Sequence, residues 1–131
     1  MNFFVKYYKK IMLTDFYGNN LTTSTGLARD SYDIGLRAFL SANYGAEEAF
    51  SQAIEADPNF ALGYMALVRA FMSSGKLANA KAALSNAKNL LDGLTSREKS
   101  HFLCCELILS GEVKKARVAV EKHVSEGQEM R

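Results

Sequence analysis

From about residue 30 onward, apolar residues recur at helical spacing. Phe60, Tyr64, Leu67 and Phe71 stand at i, i+4, i+7 and i+11, one stripe of an amphipathic helix. Leu77, Ala80, Leu84, Ala87 and Leu91 make a second stripe. Leu103, Leu107 and the apolar residues around them make a third, and Val113, Ala116, Val120 and Val124 a fourth. The breaks between stripes carry stop and start signals. Asp57 sets an N-cap acceptor before Pro58 in a helix's first turn. Gly75, Gly111 and Gly93 stand where a helix ends in a left-handed residue. Thr95 and Glu98 have the spacing of a capping box. Before residue 30 the pattern weakens. Residues 2–16 are rich in Phe, Tyr and Lys without a clean period, and residues 17–26 form a polar loop. We expect residues 1–16 to be irregular or briefly helical and to pack back onto the helices, because a free aromatic arm is an aggregation hazard.

The stripes repeat. Ala46, Phe50 and Ala53 return as Ala80, Leu84 and Ala87, an offset of 34. Leu67, Phe71, Gly75, Ala80 and Leu84 return as Leu103, Leu107, Gly111, Ala116 and Val120, an offset of 36. The two extra residues predict a longer loop around residues 93–96. The residue types have a physical logic. Ala46, Ala80 and Ala116 let the second helix of each pair approach the first. Phe50, Leu84 and Val120 plug the gap between pairs, and Ala53 and Ala87 leave room for the next pair's first helix.

A helix–turn–helix unit with a period near 34 is the tetratricopeptide (TPR) signature. Over residues 30–124 the chain resembles TPR proteins. It is similar in more detail to the N-terminal part of the family of tetratricopeptide repeat protein thirty-eight. That closer resemblance rests on Tyr17-Gly18 through Leu21-Thr22-Thr23-Ser24, on Glu55-Ala56-Asp57-Pro58-Asn59-Phe60 and on Ser96-Arg97-Glu98-Lys99-Ser100-His101. Family members are longer, and this chain resembles their first third.

The resemblance implies an all-α fold: a right-handed superhelical array of about three antiparallel helix pairs after an irregular N-terminal segment. The expected organisation is an aromatic and basic segment with its polar loop over 1–26, the repeat domain over 27–126 and a tail over 127–131. Two positions depart from the repeat consensus. Val68 and Cys104 stand where a small residue is usual, so those pairs should be spaced slightly wider. The first helix of the first pair aligns only to within one or two positions.

The resemblance also implies a concave groove that binds a protein or peptide. Carried over, its lining is Leu62, Met65, Arg69, Met72 and Ser73 from the second pair and Glu98, His101, Cys105, Ile108 and Leu109 from the third. Some TPR proteins hold a terminal carboxylate with a Lys/Asn clamp. Met65 and Arg69 occupy those positions here, which argues against chaperone-tail binding of that kind.

Composition narrows the classes. The chain has 131 residues, enough for one domain with a real core. It has one proline, no tryptophan and a net charge of +2, which demands neither a nucleic-acid nor a membrane partner. No apolar run reaches the ~20 residues of a membrane span, and the N-terminus lacks the pattern of a secretory signal. Cys104 and Cys105 are adjacent, and helix neighbours point apart, so they read as reduced thiols of a cytoplasmic protein.

Candidate chemistry is sparse. His101, Cys104 and Cys105 share a helix face, but zinc needs three or four ligands and His123 lies a helix away. Glu98-x-x-His101 is half of a di-iron motif, with no second Glu-x-x-His to complete it. Nothing in the chain supplies an orienting group or oxyanion hole for a Cys–His nucleophile. Lys6-Tyr7-Tyr8-Lys9-Lys10 interleaves bases and aromatics, which reads as a solvated edge rather than a nucleic-acid site. Lys114, Lys115, Arg117 and Glu121 read as an exposed helix face. No catalytic residue, metal or cofactor is therefore assigned. The expected function is a non-catalytic protein-interaction scaffold. Its alternatives are a self-associating, homodimerising module and, less favoured, a metal-dependent enzyme using His101, Cys104 and Cys105. Self-association is suggested by the last helix, whose valines leave an apolar outer face that a second copy, the N-terminal arm or further sequence must cover.

Overall fold

The computed structural model describes residues 23, 25–42 and 44–129. The expectations for residues 1–16, including the aromatic and basic run, lie outside them. The described residues form six α-helices and no strand: α1 (Gly26–Leu40), α2 (Ala46–Ala56), α3 (Ala61–Ser73), α4 (Leu77–Lys88), α5 (Ser96–Leu109) and α6 (Val113–Glu129). A single 3-10 turn, Leu91–Gly93, lies between α4 and α5.

Each helix packs most extensively on its hairpin neighbour: α1 on α2, α3 on α4, α5 on α6. The pairs join through α2 with α3 and α4 with α5, and the first helices also touch in order, α1 to α3 to α5. The core runs through these junctions. Tyr32, Phe50, Phe60, Met65 and Val68 fill it, and Phe102 and Cys105 join it from α5. Ala80 and Ala87 are buried to nothing, which is what lets α4 approach its neighbours. Ala46, Ala53 and Ala116 are buried as well.

The hairpins turn by a shared device. Gly75 and Gly111 hold φ of +76° and +78°, the left-handed region that an L side chain rarely enters. Before each turn the first helix closes on a serine: Ser41, Ser74 and Ser110 donate their backbone N–H to Arg37, Ala70 and Glu106. Their hydroxyls donate to helix carbonyls as well. At the start of α5 the capping box is formed. Thr95 N–H donates to Glu98 Oε1 at 3.0 Å, and Glu98 N–H donates to Thr95 Oγ1 at 3.2 Å.

Three local readings need correction. Gly93 is not a left-handed helix terminus; it ends the 3-10 turn, whose compact i→i+3 bonding absorbs the longer connection over residues 89–95. Asp57 does not open α3. It closes α2, and α3 begins four residues later, after Phe60. Asp57 instead stitches the loop together, accepting from Asn59 N–H and from the Thr23 hydroxyl. The apolar stripes also over-assigned burial. Leu77, Leu103, Val120 and Val124 are exposed. The buried side of α5 is Glu98, Phe102, Cys104 and Cys105, because α5 meets α3, α4 and α6 at once.

Candidate functional site

The first helix of every pair contributes to one hollow of about 110 Å³. Tyr32, Leu36, Phe39 and Leu40 come from α1, Leu62, Ala66 and Arg69 from α3, and His101 from α5; Phe50 of α2 closes it from behind. Helical spacing explains the grouping. Leu62, Ala66 and Arg69 stand at i, i+4 and i+7 on α3, as do Tyr32, Leu36 and Phe39 on α1. The lining is apolar apart from Arg69, His101 and the Tyr32 hydroxyl.

Arg69 is exposed, with its guanidinium carbon 6.0 Å from the centroid of the Phe39 ring. Among the described residues no carboxylate bridges to it. Its charge is felt nearby. Burial, then His123, Arg69 and Arg97, hold the His101 imidazole down to about 4. Burial pushes the Cys105 thiol up to about 11, and burial raises Cys104 as well. His101 and Cys105 are therefore neutral at pH 7.

The residues carried over from the repeat consensus divide. Leu62, Arg69 and His101 meet in the hollow. Met65, Glu98 and Cys105 are buried and support it from beneath. Met72 is half-buried and Ile108 is exposed, and neither lines the hollow. The α1 contribution was missed because the first pair aligns poorly with the repeat. The serine closure would have set its register: Ser41 corresponds to Ser74, which places Leu36 opposite Arg69.

Two histidines distant in sequence are neighbours in space. The α5–α6 hairpin brings the rings of His101 and His123 to 5.6 Å, edge to face. His123 Nδ1 shares a 3.0 Å hydrogen bond with Ser100 Oγ. Burial lowers His123 first, and the charge on Arg97 adds to it. Among the described residues no group of three or more His, Cys, Asp or Glu is placed to hold a metal ion, and no helix is long and apolar enough to cross a membrane. Compared with known proteins, the chain matches no family model, and no curated protein or solved structure is significantly similar to it.

Proposed function

We propose that the chain is a TPR-like interaction scaffold. In this reading its helix pairs form a right-handed superhelical array, whose concave side holds a peptide or partner helix in the hollow between α1, α3 and α5. The observation that carries it is that hollow: an apolar cup, built by all three first helices, with the exposed Arg69 at its edge. Such a cup suits a bulky aliphatic side chain, and Arg69 suits a carboxylate beside it. The repeated small residues Ala80 and Ala116, with the left-handed Gly75 and Gly111, support the repeat reading. The scaffold needs no cofactor and works as a cytoplasmic protein-binding module.

Panning a displayed peptide library on the folded protein tests this. The selected peptides should carry an acidic residue near an aliphatic one. Arg69→Glu, and separately Ala66→Trp to fill the cup, should each weaken them by roughly ten-fold or more, about 1.4 kcal/mol. Circular dichroism establishes that each variant is folded. Peptides that bind both folded variants as tightly as the parent would place the site elsewhere.

A further inference from the structure

The two ends of the array carry complementary halves of one junction. Within the chain, α3 seats on the preceding pair through Phe60, Gly63, Leu67 and Ala70, all buried. Gly63 marks how close this is, since a Cβ there would lie 2.9 Å from Ile54 Cγ2 of α2. The serine closures at Ser41 and Ser74 fix the register between α1 and α3. The places on α1 that correspond to Phe60 and Leu67 are Leu27 and Ile34. Both are large and apolar, yet 67% and 63% exposed.

At the opposite end the other half is uncovered. α5 seats on α3 and α4, and Lys88 reaches across that junction to Glu106 at 3.8 Å. Counted from Ser74 to Ser110, the places of Met72, Leu84 and Lys88 recur as Ile108, Val120 and Val124. They are 41%, 39% and 51% exposed. Lys88 has become a valine, so this outer face is more apolar than the inner one it repeats.

We propose that the chain stacks head to tail on a second copy of itself. Leu27 and Ile34 of α1 in one copy seat on Ile108, Val120 and Val124 of the other, continuing the way α5 seats on the pair before it. A second copy is the occupant the observations favour, because the same chain displays both halves at opposite ends. An unrelated partner would account for one face and leave the other uncovered. Such a contact is heterologous, so it propagates unless it closes into a ring. It uses a surface separate from the hollow around Arg69.

Sedimentation velocity across a concentration series of the full 131-residue chain tests this. The parent should sediment faster as concentration rises. Ile34→Glu and Val124→Glu, both at exposed positions, should each raise the concentration of half-assembly by about ten-fold or more. An equimolar mixture of the two should then form dimers and stop there, since each variant keeps the end the other has lost. A parent that stays monomeric at millimolar concentration would overturn the proposal and assign the cover to residues of the same chain. A mixture that stays monomeric would overturn it too, as would one variant assembling like the parent, because both describe a contact that is not head to tail.

Discussion

A Cβ placed on Gly35 would lie 2.6 Å from two ring atoms of Phe50, so α1 rests on α2 with no space for a side chain at that point. Phe50 has no room to retreat. It is buried, and the Tyr32 ring stands 5.8 Å away on its other side.

Gly35→Ala should therefore destabilise the protein. A glycine-to-alanine change inside a helix normally gains up to about 1 kcal/mol. Overpacking a filled core costs on the order of 1–3 kcal/mol, and the clash is with a buried ring, so the cost wins. Gly26→Ala is the control, because a Cβ there meets nothing within 4 Å. Urea denaturation should show a lower midpoint for Gly35→Ala and a change within about 0.5 kcal/mol for Gly26→Ala. A midpoint for Gly35→Ala equal to or above the parent's would mean that α1 and α2 pack less closely than described.

How far the sequence could be read depended on the kind of signal. Features set by a residue's own backbone were legible. Gly75 and Gly111 take positive φ because few other residues can, and Thr95 and Glu98 cap α5 because their spacing allows nothing simpler. Small residues at close approaches, such as Ala80 and Ala87, were legible for the same steric reason. Which side of a helix is covered was harder. Leu103 lies in an apolar stripe, but whether a neighbour reaches it depends on the connection over residues 89–95. The hollow was half legible: α3 follows the repeat and yielded Leu62 and Arg69, whereas α1 meets α2 through Gly35, one position out of register with Val68 and Ala80. The pairing of His101 with His123 depends on how α6 lies along α5, which no local pattern encodes.

The same histidine pair makes stability depend on pH. His101 is held down to about 4 and His123 is also lowered, while an unfolded histidine titrates near 6.5. Between those values the unfolded chain binds more protons than the folded one, so stability rises with pH. The contribution is complete above about pH 6.5 and is lost as pH falls toward 4. For His101 it is on the order of 3 kcal/mol. Unfolding free energies measured between pH 7.5 and 4.5 should fall steeply for the parent. His101→Gln, which does not titrate, should start less stable and fall less. Equal slopes for the two would mean that His101 titrates as it does in water.

The adjacent thiols should be inert while the fold holds. Cys104 and Cys105 are both buried and unpaired with each other, and Cys105 is pushed up to about 11. Only the thiolate reacts, so at pH 8 about one Cys105 in a thousand is in the reactive form. Ellman's reagent at that pH should label the native protein at least ten-fold more slowly than the urea-unfolded chain, with two thiols released in the end. Because the two residues leave α5 in different directions, mild oxidation of the native protein should not join them. Cys105→Ser would place a hydroxyl in the apolar core beside Phe102 and should lower stability by roughly 1–3 kcal/mol. Cys104 should keep its slow labelling in that variant, provided labelling is read well below the urea midpoint. Rapid native labelling of either thiol would show that α5 opens from α3 and α6 far more often than its buried face implies.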